Sequence, residues 1–171
     1  MSLLPDSPRR TPPTRTLVVG LGNILLRDDG VGVHAVRALR NVLPPRIVTA
    51  EVGTAVLDAL HLYEWADRII GIDAMQAGGA PGTIYSFGVD DVANADARAS
   101  LHEIGFIAAV RLLKRPQPEI CILAVEPETL DAGMDLSAPV EAALPELVRV
   151  AKALAESDPN WGRLSRSHTA D

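Results

Sequence analysis

The sequence predicts an α/β fold: a single domain built as a three-layer sandwich, with a mostly parallel central sheet flanked by helices. Short apolar runs alternate along the chain with longer segments of helical periodicity, as expected for βαβ units. The 171 residues, 47% of them hydrophobic, suffice for one compact domain with a substantial core. The longest apolar runs have the length of strands, so they predict a buried sheet and no membrane span.

The predicted strands are short, β-type apolar segments, and the predicted helices are longer segments with one apolar face. The predicted strands are Thr16–Gly20, Ile47–Glu51, Arg68–Asp73, Thr83–Phe87 and Glu119–Val125. The predicted helices are Val31–Val42, Ala55–Tyr63, Leu101–Leu113 and Pro139–Ala155. In the first helix Val31, Ala35 and Leu39 fall on one face, which predicts that this helix packs on the sheet.

Both ends of the chain are predicted to lie outside the domain. Residues 1–15 are rich in proline and lack the apolar core of a secretory signal, which indicates a disordered leader. The domain is predicted to cover residues 16–156, and residues 157–171 are predicted to form a polar tail. The segment Gly88–Ala99 is longer than most connections in a compact domain, which favours a functional loop.

Charge and cysteine content narrow the possible partners and the compartment. A formal net charge of −6 argues against a nucleic-acid surface, which requires clustered lysine and arginine. The single cysteine, Cys121, excludes an internal disulfide and is compatible with the cytoplasm. Because Cys121 lies within the apolar run Ile120–Val125, it is predicted to be a buried, inert thiol.

Three polar residues are predicted to meet at the carboxyl edge of the sheet, where sites form in open α/β folds. Asp29 follows Asp28 in the loop that leads into the first helix, and Asp73 ends an apolar strand. His102 lies in Ser100–Glu103, which has the form of a capping box and places the imidazole in a first helical turn. The helix dipole there favours the neutral imidazole, which is the form that binds metal.

Asp29, Asp73 and His102 therefore form a candidate site for a divalent ion such as Ni²⁺, Zn²⁺ or Mn²⁺, with coordination positions left open. Each residue also has a purely structural interpretation. The two adjacent acids could cap the first helix, Asp73 could cap a turn, and His102 could be a surface histidine.

Nucleotide binding is a rival interpretation of the first motif. Gly20-x-Gly22 follows a strand, and Glu51 ends the second strand, as in a dinucleotide-binding fingerprint. Leu25 occupies the third glycine position, however, and two acids stand where a pyrophosphate would need backbone donors. A conventional nucleophilic hydrolase is also disfavoured, because the chain has no Gly-x-Ser-x-Gly elbow and no Cys–His arrangement.

The segment Gly20–Leu39, GLGNILLRDDGVGVHAVRAL, resembles the N-terminal signature of the nickel–iron hydrogenase maturation endopeptidases. The resemblance covers Thr16 to Ala155, nearly all of the predicted domain. It continues through the motifs Glu51–Thr54, Gly71–Ala74, Pro81–Thr83, Leu101–Gly105 and Val125–Glu128.

This resemblance implies a hydrolase that removes the C-terminal extension of a nickel-loaded [NiFe] hydrogenase large-subunit precursor. The cut follows a basic residue near the last metal-binding cysteine motif. The implied metal ligands and catalytic residues are Asp29, Asp73 and His102, and the implied cofactor is nickel supplied by the precursor. Whether that metal activates a water, polarises the scissile carbonyl or only positions the peptide stays open.

The chain departs from the family pattern at two positions. The family commonly has glutamate where this chain has Asp29, and the neighbouring Asp28 could compensate for the shorter side chain. Glu51 stands where the family often has aspartate, and its role stays open. One alternative function is a non-catalytic checkpoint that binds the nickel-loaded precursor without cutting it, and a less favoured one is a nucleotide-binding domain.

Overall fold

A computed structural model describes residues 14–88, 101–113 and 116–157, apart from the side chains of residues 101–103. The strands in these segments are β1 Thr16–Leu21, β2 Ile47–Gly53, β3 Arg68–Ala74, β4 Ile84–Gly88 and β5 Glu119–Val125. The α-helices are α1 Val31–Leu39, α2 Leu60–Trp65, α3 Leu101–Arg111 and α4 Ala138–Glu156. A 3-10 turn, Arg27–Gly30, leads directly into α1.

The strands form one sheet in the order β2-β1-β3-β5-β4. β2, β1, β3 and β5 are parallel, and β4 pairs antiparallel with β5 at one edge. The three central strands β1, β3 and β5 therefore end at the same edge of the sheet. The predicted mostly parallel sheet is confirmed, and so is the prediction that the ends of these strands lie together.

Two separate hydrophobic cores cover the two faces of the sheet, which confirms the three-layer arrangement. On one face, α1 and α4 pack against the sheet with side chains that include Val36, Leu39 and Leu147, all fully buried. On the other face, α2 and α3 contribute Tyr63 and Phe106, whose rings meet edge to face at 5.3 Å between centroids. Burying large apolar side chains on both faces explains why the strands are nearly continuous apolar runs.

Two predicted helices differ from the structure by three residues or more at one end, and the other two by one or two residues. The predicted helix Ala55–Tyr63 is wrong in its first part, because the chain forms tight turns after β2 and becomes helical only at Leu60. The first helix ends at Leu39 and not at Val42, and the chain continues in a turn in which the N–H groups of Val42 and Leu43 both donate to the carbonyl of Leu39. The strand β5 has the predicted bounds.

The first turn of α1 lies directly on the sheet through a contact between two glycines. A Cβ atom on Gly20 would lie 2.3 Å from the carbonyl oxygen of Gly32, and a Cβ atom on Gly32 would lie 2.1 Å from that of Ile72. Only glycine permits this backbone approach. The glycines of the first motif thus hold the start of α1 against β1 and β3, and with it the acids that precede the helix.

We expect Gly32→Ala to lower the free energy of unfolding by about 3 kcal/mol, because a methyl group would overlap rigid backbone that cannot move aside. Gly105→Ala in α3 is the matched control. Its Cβ would meet only Val56 Cγ2 at 3.6 Å, an ordinary contact, so that variant should be as stable as the wild type or more stable. Urea unfolding monitored by circular dichroism measures both, and equal stability of the two variants would contradict the expected overlap.

Cys121 is half-buried and not fully buried as predicted. It pairs with Gly88 at the end of the edge strand β4, and glycine has no side chain with which to cover it. Burial raises the pKa of the Cys121 thiol, which agrees with the predicted low reactivity.

Several predictions concern residues outside the described segments, namely most of the leader, the loop Gly88–Ala99, Ser100 of the capping box and most of the polar tail. At the border of the leader, Arg15 binds Asp67 through two hydrogen bonds of 3.0 and 2.7 Å between their side chains. Among the described residues, no helix is both long and apolar enough to span a lipid bilayer.

Candidate functional site

The carboxyl edge of the sheet carries an acidic group after each of the three central strands. Asp29 follows β1 through the 3-10 turn, Asp73 lies near the end of β3, and Glu126 directly follows β5. All three are buried, with exposed fractions of 8%, 0% and 6%. Buried carboxylates require hydrogen-bond donors or a cation, so the partners of each one decide what it can do.

Gly22 is flanked by the backbone of Asp29 and by the carboxylate of Asp73. Its φ of +97° favours glycine, and its N–H donates to the carbonyl of Gly53 at 3.2 Å. A Cβ atom at Gly22 would lie 1.8 Å from the carbonyl oxygen of Asp29 and 3.2 Å from Oδ1 of Asp73. The missing side chain therefore leaves room for the backbone carbonyl of Asp29 and the carboxylate of Asp73, which belong to two of the three predicted site residues.

Asp29 and Asp73 are each held by a short backbone hydrogen bond. The N–H of Asn23 donates to Oδ2 of Asp29 at 2.7 Å, and Asn23 Oδ1 in turn accepts the N–H of Leu25 at 3.0 Å. The N–H of Ala74 donates to Oδ1 of Asp73 at 2.9 Å. These contacts fix the orientation of both carboxylates.

Asp28 has a structural role in the domain. Its side chain is fully buried and accepts four hydrogen bonds, from the N–H and hydroxyl of Ser137 and the N–H groups of Glu128 and Thr129, at 2.7–3.0 Å. Burial alone would raise the pKa of Asp28, but these donors outweigh it and hold that pKa below its usual value. Asp28 ties the first motif to residues 126–137, which connect β5 to α4.

Glu126 was part of the family resemblance but received no role from the sequence. Its carboxylate accepts the N–H groups of Ala77 and Gly78 at 2.9 and 3.1 Å and the hydroxyl of Tyr85 at 2.9 Å. Burial opposes the charge, yet these donors lower the pKa of Glu126 below its usual value. Glu126 thus orders the turn after β3. Its position directly after an apolar strand, like that of Asp73, was the signal that could have found it.

Glu51 is bound by Arg37 of α1 and by Arg40, which directly follows that helix. Its carboxylate contacts the guanidinium groups of Arg37 at 3.0 Å and Arg40 at 2.8 Å. The hydrogen bond from Arg37 is the main reason why the pKa of Glu51 lies below its usual value. The side chain of Glu51 is therefore directed to α1. Its role, which the sequence left open, is to bind these arginines.

His102 lies in the first turn of α3, as predicted, and α3 begins at Leu101. Its side chain is outside the description, so its distance to Asp29 and Asp73 stays a prediction. Among the described side chains there is no cluster of three histidine, cysteine or acidic residues that could hold a metal ion. Two members of the predicted trio therefore flank Gly22, and the side chain of the third is not described.

Comparison with known proteins gives the family of this chain. The family model described as hydrogenase maturation protease (HycI) matches residues 33–154. The chain belongs to the hydrogenase maturation protease family. Asp73 and His102 lie within the matched residues, whereas Asp29 precedes them. As a member of this protease family, the protein is a hydrolase.

Curated relatives and solved structures agree with the family assignment. The chain is 34% identical over 164 residues to the hydrogenase expression/formation protein HupD of Bradyrhizobium diazoefficiens, covering 91% of this chain and 83% of the relative. It is 34% identical over 151 residues to the hydrogenase 2 maturation protease of Escherichia coli, covering 84% of this chain and 92% of the relative.

Two solved structures of the family share the fold. The [NiFe] hydrogenase maturation protease HybD from Thermococcus kodakarensis superposes with a TM-score of 0.74 at 30% identity, covering 83% of this chain and 99% of the other. The hydrogenase maturating endopeptidase HybD from E. coli gives a TM-score of 0.73 at 30% identity, covering 82% and 91%. These maturation proteases therefore share the architecture that places Asp29 and Asp73 at one edge.

Proposed function

We propose that this maturation protease removes the C-terminal extension of a nickel-loaded [NiFe] hydrogenase large-subunit precursor. In this proposal Asp29, Asp73 and His102 bind the nickel ion that the precursor carries and so place the scissile peptide beside the carboxylates. The observation that supports it most strongly is that two buried aspartates flank Gly22, Asp29 with its backbone carbonyl and Asp73 with its carboxylate, at the sheet edge of a chain that belongs to this protease family.

The chemistry of the residues at this edge fits such a substrate. Two carboxylates and one imidazole are a mixed set of oxygen and nitrogen ligands that a borderline ion such as nickel accepts. Three protein ligands leave coordination positions for ligands from the precursor or for water. A bound divalent ion can polarise a carbonyl or lower the pKa of a water molecule to about 7. The backbone donors from Asn23 and Ala74 would keep Asp29 and Asp73 in place while the ion binds.

We expect the protein to cleave the nickel-loaded precursor and to leave the nickel-free precursor intact. Both precursors are incubated with the purified protein, and the products are weighed by mass spectrometry. Cleavage of both forms at the same rate would contradict nickel recognition. Complex formation with the nickel-loaded form at unchanged precursor mass would favour the non-catalytic checkpoint over the endopeptidase.

The proposal also places the protein in the cytoplasm, with the hydrogenase precursor as its protein partner. A single half-buried cysteine, which cannot form an internal disulfide, is compatible with a reducing compartment. The net charge of −6 gives no support to nucleic acid as a further partner.

A further inference from the structure

Arg27 has a backbone conformation that is rare for its residue type. Its φ of +47° makes it the one non-glycine residue with a positive φ in the described part of the chain. Two hydrogen bonds of 2.9 Å hold it there, from the N–H of Arg27 to the carbonyl of Gly133 and from the N–H of Gly133 to the carbonyl of Leu25. Glycine adopts this conformation without strain, so an arginine here indicates a use for its side chain.

The guanidinium group of Arg27 has no acceptor among the described residues. Its stem lies across Gly133, where a Cβ atom would be 2.9 Å from Arg27 Cγ. Its Nε is buried and makes no hydrogen bond with the described part of the chain. The nearest acid in sequence, Asp28, is already engaged by four other donors. Arg27 is nevertheless partly exposed, so a guanidinium group without an acceptor in the described part of the chain is available to an acceptor on another molecule.

Exposed apolar side chains lie on the same two segments as Arg27. Eight large apolar side chains are exposed in the described residues, and half of them come from segments 25–27 and 130–134. These four are Leu25, Leu26, Leu130 and Met134, with exposed fractions of 57%, 36%, 39% and 58%. A bridge between Leu26 and Gly133 joins the two segments. Clustered exposed apolar groups are typical of a binding surface.

We propose that Arg27 and these four apolar side chains form a docking surface for the precursor polypeptide, and that the guanidinium of Arg27 pairs with a carboxylate of that polypeptide. This inference rests on the proposed function. The surface is continuous with the candidate site, because only Asp28 separates Arg27 from Asp29 in the chain. A polypeptide bound at Asp29 would therefore pass over it. The carboxylate is either an acidic side chain or the C-terminus of the extension, since both offer the same planar acceptor.

The decisive variant is Arg27→Gly, because glycine suits the positive φ. If Arg27 binds substrate, this variant should be at least as stable as the wild type, and its KM for the nickel-loaded precursor should rise by about tenfold with little change in kcat. Arg27→Lys should recover part of the loss, since it keeps the charge but not the planar fork. An unchanged KM in Arg27→Gly, or a loss of stability that accounts for the whole effect, would overturn the inference.

Matched controls lie at the opposite edge of the sheet, where Arg46 precedes β2 and Val42 follows α1. Met134→Ser should raise the KM for the precursor, whereas Val42→Ser, which alters a side chain of similar exposure, and Arg46→Gln should not. If the Met134 and Val42 variants raise KM equally, the effect is not specific to the docking surface. If Met134→Ser changes only the self-association of the protein, measured by light scattering, a second copy of this chain is the occupant and the inference is wrong.

Two modified precursors distinguish the sources of the carboxylate. One has an amidated C-terminus, and the other has amides in place of the acidic side chains of its extension. The precursor that lacks the true partner of Arg27 should show the same KM with the wild type and with Arg27→Gly. If Arg27→Gly raises the KM for both modified precursors as much as for the natural one, no carboxylate of the extension pairs with Arg27.

Calorimetric binding of the same precursors separates this inference from the proposed function. If the wild type binds the precursor without cleaving it, and Arg27→Gly binds it about tenfold more weakly, the endopeptidase is refuted but the docking surface is supported. If the wild type cleaves the precursor and the precursor binds the wild type and Arg27→Gly with equal affinity, the endopeptidase is supported and the docking surface is refuted. Absence of binding and of cleavage would refute both.

Discussion

Asp73→Asn should reduce cleavage of the nickel-loaded precursor by at least about 100-fold while the fold remains intact. The substitution removes the negative charge of a fully buried carboxylate that lies beside Gly22, as does the backbone of Asp29. The amide has the same shape and keeps an oxygen for the N–H of Ala74, so we expect the native circular dichroism spectrum. Single-turnover rates measured by mass spectrometry test the activity.

The matched control for Asp73→Asn is Asp67→Asn. Asp67 directly precedes the first residue of β3, whereas Asp73 lies near the end of that strand. Asp67 binds Arg15 at the surface, far along β3 from the candidate site, so its variant should cleave at the wild-type rate.

Asp29→Glu should also retain activity, because it keeps the carboxylate and restores the residue that is common in the family, whereas Asp29→Ala and His102→Ala should lose it. Cleavage by Asp73→Asn within a few-fold of the wild type would remove Asp73 from the mechanism.

Asp28→Asn should lower the free energy of unfolding at pH 7 by about 3 kcal/mol, the largest loss that we expect from a change without steric overlap. The carboxylate accepts four hydrogen bonds from donors of residues 128–137, and an amide group would turn its own N–H donors towards some of them. Ser137→Ala removes only the hydroxyl donor and should cost less. Urea unfolding of the two variants and the wild type measures the difference.

The pH dependence of this loss follows from the lowered pKa of Asp28. In the unfolded chain an aspartate titrates near pH ~3.9, and in the folded protein Asp28 titrates below that. Its stabilisation is therefore fully present above the unfolded pKa and is lost as the pH falls through the folded pKa. The stability difference between the wild type and Asp28→Asn should be constant at neutral pH and shrink as the solution is acidified below about pH 4. A difference that grows on acidification would contradict this role.

The predicted fold was confirmed because it depends on patterns that each segment carries within itself. An apolar strand such as Glu119–Val125 is recognisable by its own residues, since both of its faces are buried between helices. The segment after β2 was harder, because Ala55–Tyr63 has helical periodicity but its first residues form turns. The spacing of apolar residues does not show where the chain must first turn before a helix can pack on the sheet.

The candidate site was predictable in part, for a similar reason. Asp73 stands out because a carboxylate at the end of an apolar strand needs a partner, and Glu126 could have been found in the same way. Asp28 and Asp29 could not be assigned separately from the sequence, because adjacent acids in one loop look equivalent. Their partners lie about 100 residues away for Asp28 and six residues away for Asp29.

By itself the sequence determined the fold class, the family resemblance and the edge of the sheet at which the acidic residues gather, because these depend on local periodicity, on short motifs and on the direction of parallel strands. Only the tertiary structure showed that Asp28 and Glu126 accept hydrogen bonds from distant segments and that Asp29 and Asp73 both flank Gly22. It also revealed the positive φ of Arg27, whose aliphatic stem lies across Gly133 and whose Nε has no hydrogen-bond partner among the described residues. Both results depend on contacts between segments that are distant in the chain, and such contacts leave no periodic pattern in either segment.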